Sequence, residues 1–367
     1  MGAGSRIRSI VATAIELELS EPFAIAKGAA TSARNVVVTL ELEDGTEGLG
    51  EAAPFTAVSG ETQAGVLEAV NRARPALLGQ DARAHLRLVE RLSLLLPRDP
   101  AARCALEMAL VDAVARQHGV PLWLHFGGVG SEVHTDLTIT AGGAAHASEA
   151  ATRALARGIS TLKVKVGGLS PQADAERMQA VQLAAPGAHL LADANGGYSV
   201  AEALQFLTEL ERRGVPLDLF EQPVEPRDWL ALLALVPRER VLLCADESAR
   251  SADEVLALAL AGALPAVNLK PMKTGVAETL RIWHIARAAK ARLMIGGMVE
   301  SPLAMSFSAH LAAGLGGFDF VDLDTPMFMT SHPFQGGFVQ HGARLDVSHV
   351  AAGHGVTWAA GSRPSFA

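Results

Sequence analysis

From Val133 onward the chain repeats one unit eight times: a short apolar run, a break, then an Ala-rich stretch with helical spacing. The runs are Val133–Thr140, Thr161–Val166, His189–Asp193, Asp218–Gln222, Val241–Asp246, Ala266–Lys270, Arg292–Gly296 and Phe318–Asp322. Each begins roughly 25 to 30 residues after the last, the length of one βα unit, and eight such units fill the ~200–250 residues of a (β/α)₈ barrel. A doubly wound sheet would show a Gly-rich phosphate turn after its first strand, and none is present.

The residues before Val133 follow another pattern. Ile7 to Leu19 alternates, Asn35 to Leu42 is β-branched and alternating, and Glu43-Asp44-Gly45 is a hairpin turn. Three helical stretches follow, beginning near Glu61, near Ala82 and at Pro100, the last stopped by Gly119-Val120-Pro121. The expected organisation is an α+β capping domain over residues 1–128, a barrel over 129–343, and a C-terminal segment, 344–367, that returns to the capping domain.

Composition narrows the partners. A net charge of −8 leaves no basic excess to neutralise phosphates, so no nucleic acid is expected. Arg6 and Arg8 precede an apolar stretch, but Glu16 and Glu18 give it the alternation of a strand, and no run approaches the ~20 apolar residues of a membrane span. Cys104 and Cys244 form no CxxC or zinc spacing, and the scattered histidines form no HxH or HExxH. The expectation is a cytoplasmic protein without a membrane partner.

Strands of a parallel barrel should be apolar inside. Here nearly every one carries a charged residue near its C-terminal end, the face on which barrel active sites are built. Asp193, Glu221 and Asp246 end three successive strands. Such carboxylates either cap helices and pair with basic residues, or repel one another unless a cation lies between them. All-oxygen ligation selects a hard ion, Mg²⁺ or Mn²⁺. Lys163 and Lys165, two apart on one strand, share a face, and a barrel has no edge strand on which to expose them. Adjacent ammonium groups beside a dication should have their pKa lowered towards that of a working base. Lys270 lies across the barrel, so two lysines flank the pocket, one to remove a proton and one to return it from the other side.

These residues resemble the enolase superfamily, muconate-lactonising subgroup. The resemblance rests on Glu51-Ala52-Ala53-Pro54, Lys163-Val164-Lys165, Asp193-Ala194-Asn195, Glu221-Gln222-Pro223, Ala245-Asp246-Glu247-Ser248 and Asn268-Leu269-Lys270-Pro271-Met272-Lys273, in order and at strand ends. It implies an enolase-type modified TIM barrel under an α+β cap. It also implies Asp193, Glu221 and Asp246 as ligands of Mg²⁺, Lys165 and Lys270 as the acid/base pair, and Lys163 as an electrostatic helper. The expected chemistry is 1,1-proton transfer through an ene-diolate, whose charge a metal and a lysine stabilise more than the ground state. The mandelate-racemase-like branch would need a His–Asp dyad where this chain has Lys270 and Gly296. Lys273 resembles family sequence but is expected one turn beyond the site.

Asp322-Leu323-Asp324 resembles the dipeptide-epimerase pattern, in which two aspartates hold the free α-ammonium of an L,L-dipeptide inverted at its C-terminal residue; a helix cap or an ion pair is the alternative. The Ile295 to Ser301 stretch, with Met298, resembles the same group's strand-seven loop, whose small residues admit the substrate backbone. Two mobile cap loops, Phe23–Thr31 and Phe55–Gly60, are expected to set side-chain preference. Lys27 either pairs with an acidic substrate side chain, as in an Ala-Glu epimerase, or is a solvated loop lysine. Thr138 and Asn195 are expected in the pocket, or else bonded locally. N-acylamino-acid racemase, o-succinylbenzoate synthase and muconate-type cycloisomerase share the metal and the lysines without needing the paired aspartates. The expected partner is a small dipeptide, and the resemblance admits a homo-oligomer.

Overall fold

The computed structural model describes residues 4–25, 28–237 and 240–363. The chain opens with an antiparallel meander of β1 (Ile7–Ile25), β2 (Gly28–Leu42) and β3 (Glu47–Ala52), joined at β2–β3 by the expected turn. Helices α1 (Thr56–Ser59), α2 (Gln63–Leu77), α3 (His85–Leu95), α4 (Pro100–Gln117) and α5 (Leu122–His125) complete this layer. Gly48 and Gly50 let α4 lie directly on β3: a Cβ at Gly50 would stand 2.0 Å from the Ala105 carbonyl oxygen.

A short strand, β4 (Glu132–His134), precedes the barrel. The barrel strands are β5 (Leu137–Ile139), β6 (Thr161–Lys165), β7 (His189–Asp193), β8 (Leu219–Glu221), β9 (Leu242–Ala245), β10 (Ala266–Leu269), β11 (Arg292–Gly296) and β12 (Phe320–Asp322). They pair in parallel in that order. The Asp136 amide donates to the Val321 carbonyl (2.8 Å), bringing the two ends of the sheet together. Helices α6 (Ala144–Ala156), α7 (Pro171–Ala184), α8 (Val200–Arg213), α9 (Trp229–Leu235), α10 (Ala252–Leu260), α11 (Pro271–Thr274), α12 (Val276–Ala288) and α13 (Pro302–Leu315) connect them. The expected (β/α) barrel with an α+β cap is the fold observed.

Three stretches are built differently from the sequence reading. Val133–Thr140 is not one strand: β4 leaves the barrel to pair with β15 (Arg344–Asp346), which also pairs with β14 (Val339–His341). The Phe23–Thr31 stretch is strand rather than loop on both sides of its tip, with Phe23 opposite Ala30 after a register shift. Phe55–Gly60 contains the single turn α1. Near the C-terminus, β13 (Phe334–Gln335) pairs with β16 (Thr357–Trp358), and Phe334 and Val356 pack against Val37 and Leu49 of the meander. Among the described residues no helix is long and apolar enough to cross a membrane.

One cluster of buried apolar residues joins the meander helices to α13, a second joins the barrel wall to its helices, and a third, of Leu191, Leu219, Cys244, Ala266 and Met294, fills the barrel interior. Glu51 ties cap to barrel. Fully buried, it accepts from the Asn35 amide (2.7 Å), the Ser301 hydroxyl (2.6 Å) and the Ala304 backbone amide (3.1 Å) at the start of α13.

Candidate active site

Above the apolar filling, the C-terminal strand ends carry charge. Lys163 on β6 is completely buried, its ammonium 2.6 Å from Asp322, 2.6 Å from Glu221 and 3.2 Å from Asp193. Lys165, one turn of the pleat further, reaches Asp193 at 2.6 Å. Across the barrel, Lys270 lies 2.7 Å from Asp246 and 3.8 Å from Glu221. Four strand steps separate β6 from β10, half the circuit of an eight-stranded barrel. Lys165 and Lys270 nevertheless line one cleft.

Seven of the residues expected at the site on sequence grounds line this cleft: Lys165, Lys270, Thr138, Asn195, Met298, Asp322 and Asp324. Asp193, Glu221, Asp246 and Lys163 form the buried ionic layer joined to it. Lys27 lies outside the described residues. The cap supplies apolar walls, Phe23, Phe55 and Val58, and the Lys165 ammonium lies 5.9 Å from the Phe23 ring centroid.

Three further residues take part that sequence reasoning left aside. Lys273 was expected beyond the site. Instead α11 is a single turn ending at Gly275 (φ +86°), and it curls the Lys273 ammonium back to Asp246 at 2.6 Å. Asn268 donates to Glu221 (2.7 Å). Glu247 lines the cleft beside Asn195. Lys273 stands in the Asn268–Lys273 motif, and Glu247 directly follows Asp246, so adjacency to the expected site residues is the available signal.

Backbone geometry fixes the strand ends. Asn195 and Gln222 adopt left-handed φ values of 45° and 32°. Such conformations are held only by surrounding bonds. Here the Asn195 amide donates to Asp193, while the Gln222 side-chain oxygen accepts from the amides of Asp246 and Ser248. At Gly296 a Cβ would press on Asn268 at 3.0 Å and on the Lys270 side chain at 3.2 Å.

The charges set one another. Burial disfavours the charged amine of Lys163, but Asp322, Glu221 and Asp193 outweigh it and hold its pKa well above the ordinary lysine value. Lys270 is raised likewise, with Asp246 and Glu221 overcoming burial. The lowering expected from the sequence applies to two amines beside a dication; the carboxylates around Lys163 act in the opposite direction. Burial opposes ionisation of Asp193 and Asp246 too, yet the neighbouring lysines keep both below the usual carboxylate range. Glu247 is pushed up to about 7 by burial and by Asp246, and Asp324 to about 7 by burial and by Asp322.

The donor set fits a hard divalent cation. Asp193, Glu221 and Asp246 offer carboxylates from adjacent strands, and the buried oxygens Asn195 Oδ1, Asn268 Oδ1 and Glu247 Oε2 accept no hydrogen bond. Lysine ammonium groups now neutralise that trio. Among the described residues, the acidic oxygens that converge within 4.8 Å are those of Asp136, Asp322 and Asp324.

The chain matches two family domains: the mandelate racemase / muconate lactonizing enzyme N-terminal domain over residues 7–127 and the enolase C-terminal domain-like family over residues 145–362. An aromatic dipeptide epimerase of Herpetosiphon aurantiacus is 51% identical over 353 residues, 96% of this chain and 99% of that one. A crystal structure of a mandelate racemase/muconate lactonizing protein from the same organism superposes with a TM-score of 0.94 at 50% identity, covering 98% of this chain and 100% of that one. A dipeptide epimerase of Enterococcus faecalis, complexed with Mg and the dipeptide L-Leu-L-Tyr, gives 0.91 at 30% identity, covering 96% and 99%.

Proposed function

This chain belongs to the mandelate racemase / muconate lactonizing enzyme family, and on that premise we propose that it is a Mg²⁺-dependent dipeptide epimerase inverting the α-carbon of a dipeptide's C-terminal residue. The observation that carries the reading is one cleft bordered by Lys165 and Lys270 from strands half a barrel apart, and by Asp322 and Asp324 on a third side.

Asp193, Glu221 and Asp246 would hold the metal. When bound, it would supply the positive charge that stabilises the carboxylate as its α-proton leaves. Lys163, buried beneath, adds a fixed positive charge at the same end. Asp322 and Asp324 receive the dipeptide's α-ammonium. The α-carbon then lies between Lys165 and Lys270. The lysine that is a free amine removes the α-proton and becomes an ammonium; the opposite ammonium returns a proton to the other face and becomes an amine. Thr138, Asn195 and Met298 border the substrate, and Phe23 and Phe55 from the capping layer (residues 1–128, over a barrel of 129–343) close the cleft to water.

The apolar lining favours an aromatic or aliphatic second residue over an acidic one, in line with the name of the Herpetosiphon relative. The paired aspartates favour a free amine over the N-acylated substrates of the racemase alternative. The two buried free thiols, Cys104 and Cys244, suit a reducing cytoplasm and make that location part of the proposal.

The test is incubation of a dipeptide panel with the protein and Mg²⁺ in D₂O. Deuterium should enter the second residue's α-position as its configuration scrambles, fastest for Ala-Phe-like and Leu-Tyr-like dipeptides and poorly for N-acetylated ones. No exchange with any free dipeptide would end the proposal.

A further inference from the structure

Behind the two aspartates of the cleft stands a third acidic side chain that the proposed reaction does not use. Asp136 precedes β5, is 1% exposed, and does not border the substrate cleft. One of its carboxyl oxygens lies within 4.8 Å of oxygens of both Asp322 and Asp324. Neither oxygen has a hydrogen-bond partner, although both are enclosed. The neighbouring donors are spent elsewhere: the Thr138 amide donates to Asp324, the Lys163 ammonium is shared among Asp322, Glu221 and Asp193, and the Thr135 hydroxyl donates to the Asp136 carbonyl.

A buried carboxylate with no donor and two like charges at this range is too costly to stay ionised, and a carboxyl group in that position keeps its proton. The proton then has an obvious acceptor. A neutral carboxyl group is an O–H donor, and a carboxylate oxygen of Asp322 or Asp324 is the available anion. We infer that Asp136 is a positioning residue for the substrate's ammonium: in its neutral form it donates a hydrogen bond to the paired aspartates from behind, Asp322 foremost, and holds their free oxygens towards the cleft. Burial, followed by the charges of Asp322 and Asp324, drives its pKa well above the ordinary value, which agrees with the geometry. Asp136 touches no substrate atom and acts through its neighbours.

The inference rests on the reading that Asp322 and Asp324 bind the ammonium, so its test has two parts that fail separately. The first is an infrared difference spectrum of wild type minus Asp136→Asn at neutral pH, with Mg²⁺ and without dipeptide. It should show the carbonyl stretch of a neutral carboxylic acid lost with the substitution; a lost carboxylate band in its place would mean that Asp136 is ionised, and would overturn the inference whatever the substrate. The second is kinetic. Asp136→Asn keeps a neutral donor and should leave KM for a free dipeptide within a few-fold of wild type. Asp136→Ala should raise KM about tenfold or more with kcat little changed. Equal damage by Asn and Ala would show that the negative charge is what matters, as for a side chain that binds a cation, and would overturn the inference, as would an undisturbed KM in Asp136→Ala. Should Asp136→Ala not fold, the infrared result and the KM of Asp136→Asn still decide. Asp322→Asn serves as the control: if its KM is unaltered, the ammonium reading has failed while the infrared result on Asp136 stands.

Discussion

Asp322 accepts from a completely buried lysine, and with Asp324 two residues on it faces the cleft. Removing either charge should loosen a free dipeptide more than it slows the reaction. Asp322→Asn or Asp324→Asn is expected to lower kcat/KM by ~10- to 150-fold, the 1.5–3 kcal/mol of a charged hydrogen bond, mostly through KM. An N-acetylated dipeptide should lose far less, and steady-state kinetics on the two substrates checks this. The site was legible at this scale because charged side chains at the ends of apolar strands have no packing reason to be there. Lys273 was misplaced because spacing alone cannot show that one short helical turn reverses its direction. Residue types alone do not give the sign of a lysine's shift: around Lys163 the surrounding carboxylates outweigh burial.

Elements set the precision of that site. Helix α4 lies so close on β3 that Gly50→Ala would force its Cβ against the Ala105 carbonyl. It should cost at least about 1–3 kcal/mol, read as a lower denaturation midpoint with unchanged m-value. Glu51→Ala strands the Asn35, Ser301 and Ala304 donors that join β2 and β3 to the start of α13. A loss of about 1–3 kcal/mol or more is expected in the same measurement. Strand positions were readable because apolar runs recur at a βα interval. The break at Thr135-Asp136 was not, since it is made by distant partners: the Ala343 carbonyl accepts from the Thr135 amide, the Val321 carbonyl from the Asp136 amide, and the Thr135 hydroxyl from the Leu323 amide. The tip strands around Phe23 and Ala30 escaped notice because small and apolar residues there do not alternate.

Over the whole molecule, buried charge couples stability to pH. Burial lifts Glu107 from 4.5 to about 7, against the pull of the Ala277 amide and Arg103. Between those values the folded chain holds more protons at this site than the unfolded one, so this contribution to stability falls as pH rises. Glu107→Gln should therefore gain stability relative to wild type on going from about pH 5 to about pH 8, as denaturant midpoints would show. The barrel's larger consequence is to set two lysines at opposite ends of one diameter, and isotope exchange reads that arrangement directly. Lys165→Ala and Lys270→Ala, each given L,L- and L,D-dipeptide in D₂O with Mg²⁺, should lose α-proton exchange from opposite configurations, each by ~10²- to 10⁴-fold, while exchange from the other configuration persists. Loss of exchange from the same configuration in both variants would place the two amines on one face of the substrate and contradict the account.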